Sequence, residues 1–135
     1  TREFFSMIGK TMPELAVLVT AEFKGRMVAG ALNFKGKDTL FGRNWGCLED
    51  FKFLHFEACY YQAIDFAISN KIVSVEAGAQ GHHKLQRGYL PTLTHSTHFI
   101  SDTRFRAAVE GFLKKETQQI LFEKQELDKM SPFKK

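Results

Sequence analysis

One stretch near the middle of the chain carries most of the side chains that could move protons or hold anions. Glu76 lies in an apolar run, and His82, His83, Lys84 and Arg87 follow it closely. Because its neighbours in the run are apolar, burial would raise the pKa of Glu76 towards the range of a general base. We therefore expect Glu76, with His82 as the alternative, to take the proton from an attacking ammonium group.

The other candidate side chains lie just before this stretch or within it. Glu57 and Tyr61 are one turn apart on a predicted helix, where a capping role for Glu57 near the helix start stands beside a catalytic one. Lys84 and Arg87 are suited to phosphate groups, although solvated loop charges are the rival interpretation. The predicted binding residues are Arg43, Trp45, His55, Tyr61, Gln80, His83, Lys84 and Arg87.

A metal site is not expected. His95 and His98 fall on opposite faces of a predicted strand, and Cys47 and Cys59 lack zinc-ligand spacing. The two cysteines do not make a disulfide framework, so we expect both to be reduced, with Cys59 filling the inner face of its helix. No serine or cysteine shows the pattern of an activated nucleophile.

Length and composition are those of one folded domain. The chain has 135 residues, of which 44% are hydrophobic and 25% charged. The net charge of +4 favours anionic partners, although so modest an excess needs only a solvated surface as its explanation. No apolar run approaches the roughly 20 residues needed to span a bilayer, and no leader is visible, which indicates a cytoplasmic protein.

The elements that would position these residues follow from periodicity and turn signals. The predicted order is a helix over residues 1–11, three antiparallel strands, a central helix beginning near residue 55, strands over 72–77 and 92–100, and a helix over 103–129. Ser101 or Asp102 can cap the last helix. This order predicts an α+β (α/β layered) domain over residues 1–135, with a mixed, mostly antiparallel sheet and helices on both faces.

Two of these helices show apolar stripes. The inner face predicted for the central helix consists of Phe56, Cys59, Tyr60, Ala63, Ile64 and Ala67. The inner stripe predicted for the last helix consists of Phe105, Ala108, Val109, Phe112, Leu113 and Ile120. Beyond Glu116 this helix becomes charged and polar, so its last turns could leave the body or pack on another chain.

The strands over residues 39–45 and 72–77 are separated by the central helix. Such a connection is typical of a parallel pair with a right-handed crossover. Ligands favour the carboxyl ends of such pairs. The ends of these strands would bring Arg43 and Trp45 near Glu76, Gln80 and His82, and we expect a cleft there.

Several segments together resemble a known family. They are GALN (30–33), TLFGRNWGC (39–47), LHFEACYYQ (54–62), EAGAQGHHK (76–84) and RGYLP (87–91). On these residues the chain resembles the bacterial peptidoglycan biosynthesis/recognition family, which belongs to the GNAT acyltransferase superfamily and is similar to the Fem-type aminoacyl-tRNA-dependent transferases. Members look about twice as long or more, so the chain resembles a C-terminal half whose N-terminal half is a further partner.

The resemblance implies an acyl transfer from an activated, anionic donor to an amine acceptor. The donor would be acyl-coenzyme A or an aminoacyl-tRNA. Typical GNAT acetyltransferases hold coenzyme A in a glycine-rich loop after the fourth strand. The equivalent stretch here, residues 43–48, has Leu48 where a small residue belongs, so the pattern is closer to the Fem-type enzymes.

Two other functions remain open from the sequence. One is a non-catalytic recognition module for cell-wall or polyanionic ligands. The other is RNA binding through the basic loop and the aromatic side chains. The phenylalanine-rich surfaces and the long last helix also suggest a homo-oligomer.

Overall fold

The computed structural model describes residues 1–78 and 81–133, except for the side chain of His82. These residues form two compact units, Thr1–Gln80 and Gly81–Lys135. The fold class is α+β, as predicted, with a four-stranded mixed sheet and a long C-terminal helix. The single-domain organisation stays a prediction.

The first unit is built on the sheet, in which the strand order is β1-β2-β3-β4. Its strands are β1 (Ala16–Phe23), β2 (Arg26–Lys35), β3 (Thr39–Cys47) and β4 (Ser74–Glu76). β1, β2 and β3 pair in antiparallel fashion, and β3 pairs with β4 in parallel. The turn between β1 and β2 is Lys24-Gly25, and both residues have positive φ, as the tight turn of a two-residue hairpin requires.

One helix of this unit precedes β1 in the chain, and the other connects β3 to β4. α1 (Arg2–Thr11) is capped by Thr1, whose hydroxyl accepts a hydrogen bond from the backbone N–H of Phe4. Between β3 and β4 the central helix consists of α2 (Leu54–Phe56), a π-helical turn (Glu57–Tyr61) and α3 (Gln62–Ser69). The predicted faces of this helix are confirmed, with Tyr60, Ala63 and Ala67 buried.

The core of the first unit lies where this helix covers β3. Leu40 is fully buried and clusters with Ala63, Ala67 and Ile72. Small side chains on α3 let the helix approach the sheet closely, so that the connection from β3 to β4 passes over the strands that it joins. The core therefore fixes β3 and β4 as parallel neighbours.

β4 is shorter and more open than predicted. It has three residues and lies at the edge of the sheet, so it is paired on one side only. Val73 is 85% exposed and Glu76 is exposed too. The predicted burial of Glu76 is therefore wrong, because an edge strand of this length has no second neighbour to cover it.

The second unit contains a 3-10 helix (His82–Arg87) and α4 (Thr103–Lys129). The predicted bounds of α4 are confirmed, and Asp102 is its cap: Oδ1 accepts a 2.8 Å hydrogen bond from the backbone N–H of Phe105. The predicted inner stripe of α4 is wrong, since no residue of this helix is buried.

The strand predicted over residues 92–100 is also wrong. This segment has no regular secondary structure, and its threonine, serine and histidine side chains are exposed. A segment with an alternating pattern forms a strand only where another strand is available for pairing. No described residue pairs with this segment. Within the described residues, no helix is long and apolar enough to cross a membrane.

Candidate functional site

The candidate site is organised by the parallel pair of β3 and β4. The two strands are in register over three residue pairs, Thr39 with Ser74, Leu40 with Val75, and Phe41 with Glu76. The hydroxyl oxygens of Thr39 and Ser74 lie 2.7 Å apart. The prediction that these strands lie side by side in parallel is confirmed.

β4 ends at Glu76, whereas β3 continues to Cys47. The rest of this edge of β3 therefore has no strand beside it among the described residues. Alternate backbone N–H groups of such an edge point outward and can donate hydrogen bonds to a ligand. Arg43 and Trp45 both follow Phe41, the residue paired with Glu76. That they lie near the carboxyl end of β4 stays a prediction.

Gly42 lies close to the backbone at the end of β4. A Cβ atom at this position would lie 3.3 Å from the Glu76 carbonyl oxygen and 3.6 Å from Oδ1 of Asn33. Asn33 itself is buried on β2, and its Nδ2 donates hydrogen bonds to the carbonyl oxygens of Val17 and Ala31. Glycine at residue 42 thus allows the end of β4 to approach β3.

Arg43 is the extra residue of a β-bulge. In the pairing of β2 with β3, Asn33 faces Gly42 and Leu32 faces Asn44, so Arg43 has no partner residue on β2. The Arg43 side chain is exposed. A bulge bends its strand and redirects a side chain. Here it carries a guanidinium group two residues beyond Phe41, the last β3 residue paired with β4.

Aromatic side chains join β3 to the central helix. The His55 ring is 5.4 Å from the Trp45 ring and 5.5 Å from the Tyr60 ring, both in edge-to-face geometry. Phe56 lies against the same histidine at 5.5 Å. Tyr60 is buried, while Trp45 and His55 are half-buried. The indole is therefore packed against the central helix, and residues 43–46 belong to β3.

Glu57 lies at the start of the π-helical turn in the central helix. Its Oε1 accepts a 2.8 Å hydrogen bond from Nε2 of Gln62. Glu57 and Tyr61 are both exposed. A π-turn inside a longer helix is often found at functional sites. The hydrogen-bond partner of Glu57 is thus the residue five positions later. The three-or-four-residue spacing of the predicted α-helix does not indicate this pair.

Burial sets the chemistry of Cys59 on the same turn. It is half-buried, and desolvation raises the pKa of its thiol to about 11. A thiol with this pKa is mainly protonated at neutral pH and is a poor nucleophile. The predicted packing role of Cys59 is confirmed.

The basic loop belongs to the second unit. Nη1 of Arg87 donates a 2.7 Å hydrogen bond to the carbonyl oxygen of His83. Lys84 is half-buried, and desolvation lowers the pKa of its ammonium group. Gln80 and the side chain of His82 lie outside the described residues, so their predicted convergence with Glu76 stays a prediction.

Two glycines shape this loop. Gly81 and Gly88 flank the 3-10 helix with φ values of +99° and +85°. A Cβ at Gly81 would meet the His83 ring, and one at Gly88 would lie 2.9 Å from the Phe133 ring. Both positions therefore require glycine for backbone conformation and for space.

Some features of the site were not predicted from the sequence. A glycine inside a strand is a known sign of close backbone approach, so Gly42 is a sequence signal for the approach of β4 to β3. Asn33 in an otherwise apolar strand was a second sign. The bulge at Arg43 and the π-turn depend on tertiary packing and have no local signal in the sequence.

Metal-ligating groups do not gather in the described part of the chain. No set of three histidine, cysteine, aspartate or glutamate side chains lies close enough together there to hold an ion. His98 instead lies 3.0 Å from the Ser96 hydroxyl, through Nε2.

Comparison with known proteins identifies the family of this chain. The model of the FemAB-like family, described as peptidoglycan biosynthesis/recognition, matches residues 1–135. Neither a curated protein nor a solved structure matches the chain.

Proposed function

Since the chain belongs to the FemAB-like family, we propose that it carries out N-acyl transfer, moving an acyl or aminoacyl group to an amine in the metabolism of cell-wall precursors. The family description covers both biosynthesis and recognition. Acyl transfer is the proposal for the biosynthetic role, and a fold of GNAT type, similar to the Fem-type transferases, is part of it.

The observation that carries the proposal is the different length of the two parallel strands. β3 continues past the last residue pair, Phe41 with Glu76, with no strand beside its last residues among those described, and it carries an exposed guanidinium group at the bulge. Backbone N–H donors, a cation and a carboxylate at one strand end are the groups that acyl transfer needs. The donors stabilise the oxyanion that develops on the carbonyl during attack.

In the proposed reaction the amine nitrogen attacks the acyl carbonyl carbon. A C–N bond forms, and the bond from carbonyl carbon to the thiol sulfur or ribose oxygen of the donor breaks. The ammonium group gives its proton to the base before attack, and the leaving group takes up a proton. Glu76, on the surface, attracts the ammonium group and accepts this proton, with His82 as the alternative base. Glu57, on the central helix, is the further candidate for a catalytic acid or base.

The donor is anionic in either form, acyl-coenzyme A or aminoacyl-tRNA. Arg43 is the proposed contact for its phosphate in the first unit, where a guanidinium can bind phosphate with two hydrogen bonds. Trp45 and His55 form the adjoining aromatic surface, with Tyr61 nearby on the helix. In the loop, Gln80, His83, Lys84 and Arg87 are the proposed contacts. An N-terminal half of the same protein is a proposed partner.

Donor binding can be tested by thermal denaturation with coenzyme A, acyl-coenzyme A and an aminoacyl-tRNA analogue. A ligand that binds the native state raises its melting temperature. The proposal predicts a rise with one of these donors that is lost in Arg43→Ala and kept in Arg2→Ala, which removes an exposed arginine on α1. No rise with any donor would count against this function.

Turnover is tested separately. Glu76→Gln and His82→Ala should lower the rate of amide formation by about 100-fold or more if the residue is the base. Glu22→Gln removes an exposed carboxylate from β1 and should leave the rate unchanged. Unchanged turnover in both Glu76→Gln and His82→Ala would remove the base assignment.

A second candidate is a recognition module without catalysis. The exposure of Glu76 favours it, because a general base is usually shielded from bulk water. This candidate predicts binding of a cell-wall precursor that depends on Arg43 but yields no amide product. Precursor binding without turnover, in the longest natural protein containing this chain, would establish it.

A further inference from the structure

The large apolar side chains of α4 are uncovered. No residue of this helix is buried. Six large apolar side chains on it are between 45% and 64% exposed. They are Phe105, Phe112, Leu113, Ile120, Leu121 and Phe122. Exposed apolar groups in this number on one element indicate a contact surface.

The apolar residues of α4 follow a seven-residue repeat. Phe105 and Phe112 are seven positions apart, and so are Leu113, Ile120 and Leu127. Residues seven apart lie almost directly above one another on a helix, so each set forms a row along α4, and the second row begins one residue after the first ends. A helix of this length is about 40 Å long, enough for pairing with another helix over several turns.

Charge is distributed unequally along the same helix. Residues 103–115 contain Arg104, Arg106, Lys114 and Lys115 against Glu110, a net charge of +3. Residues 116–129 contain four acids and two lysines, a net charge of −2. Both of these lysines bond to acids of their own helix, Lys124 to Asp128 and Lys129 to Glu126. The first half of α4 is therefore basic and the second half acidic.

From these two features we propose that α4 pairs with α4 of a second copy of this chain in antiparallel orientation. Antiparallel pairing places the basic half of each helix against the acidic half of its partner. A two-fold axis makes both contacts identical, as in most homodimers. Parallel pairing would place like-charged halves together, which is unfavourable.

A second copy fits this surface better than a lipid bilayer does. Helices that lie on anionic membranes carry basic residues along the whole polar face. The acidic half of α4 lacks that property, whereas its charge complements the basic half of the same helix. The proposal is independent of acyl transfer, because it uses no residue assigned to that reaction.

The first test is the mass of the 135-residue chain in solution, measured by light scattering and sedimentation. We expect a dimer with a dissociation constant of roughly micromolar order. Leu113→Glu with Ile120→Glu should raise that constant at least about 100-fold, because four like charges would then meet in the apolar seam. The matched control, Ala107→Glu with Gln118→Glu, adds the same charge on the opposite side of α4 and should leave the dimer intact.

Charge reversal tests the pairing itself. Arg104→Glu with Lys115→Glu makes both halves acidic, and Glu116→Lys with Glu123→Lys makes both basic. Each variant alone should be monomeric, and an equimolar mixture should form a heterodimer. Circular dichroism of each variant, compared with the wild type, identifies any loss of fold.

Salt distinguishes the orientations. The antiparallel dimer should weaken when salt is raised from about 0.05 M to about 0.5 M, because screening reduces attraction between opposite charges. A parallel dimer should instead tighten. A wild-type chain that stays monomeric at about 100 μM, a dimer unaffected by Leu113→Glu with Ile120→Glu, or a dimer that tightens with salt would each overturn the proposal.

Discussion

Nε2 of Gln62 lies 2.8 Å from Oε1 of Glu57, five residues earlier in the chain. In a π-helical turn the residue that lies above position i is i+5, so this hydrogen bond follows the local geometry of the turn Glu57–Tyr61. The carboxylate of Glu57 is thereby held along the helix.

Gln62→Ala should lower the free energy of unfolding by about 0.5 kcal/mol, because the hydrogen bond joins two exposed side chains. Urea denaturation measures this change. A double-mutant cycle with Glu57→Ala isolates the pairwise energy. Strictly additive effects of the two substitutions would mean that the contact contributes no stability in solution.

Gly42→Ala should destabilise the chain by about 1 kcal/mol or more, because the added methyl group would lie 3.3 Å from the Glu76 carbonyl oxygen. The matched control is Gly46→Ala on the same strand, where a Cβ meets no atom within 4 Å. That control should be neutral or slightly stabilising. Thermal and urea unfolding of both variants give the comparison, and equal effects at the two positions would contradict the close approach of β4.

Lys84 should make stability depend on alkaline pH. Desolvation lowers the pKa of its ammonium group in the folded chain, so the unfolded chain binds this proton more tightly. The resulting penalty is full at neutral pH and is relieved as the pH rises from the folded pKa towards the unfolded one. The stability of the wild type minus that of Lys84→Met should therefore increase from neutral to alkaline pH.

The control for this prediction is Lys115→Met, which removes an exposed lysine of α4. Its stability difference from the wild type should change little over the same pH range. Denaturant midpoints measured at several pH values supply both curves. A difference for Lys84→Met that falls as pH rises would have the wrong sign for desolvation.

The two cysteines should react with iodoacetamide at very different rates. Cys47 is exposed, whereas burial raises the pKa of Cys59 to about 11, so only about one Cys59 thiol in a thousand is ionised at pH 8. Mass spectrometry should show rapid labelling of Cys47 and slow labelling of Cys59, with the Cys59 rate rising about tenfold per pH unit. Cys47→Ser should leave only the slow reaction, and fast labelling in that variant would contradict the burial of Cys59.

Local signals predicted the elements whose stability is mainly local. The hairpin of β1 and β2 follows from Lys24-Gly25, and the start of α4 follows from a capping acid, which the structure identifies as Asp102 rather than Ser101. The inner face of the central helix also follows from its three-and-four spacing. In each case the sequence pattern and the packing agree.

The predictions that were wrong depended on which neighbours a segment has. The apolar run around Glu76 predicts a buried strand, but β4 lies at the sheet edge. The alternating segment over residues 92–100 does not pair with a strand among the described residues. The apolar stripe of α4 is not buried in a core there. A sequence pattern indicates which face of an element is apolar and does not indicate what covers it.

The bulge at Arg43 changes the face of the sheet to which the later side chains of β3 point. In a regular strand, residues an odd number of positions apart point to opposite faces, so Leu40 and Trp45 would do so. The extra residue restores them to one face, where Leu40 meets α3 and Trp45 meets His55 of α2. A single added residue thus lets one helical segment cover both ends of the strand while the guanidinium group stays in water.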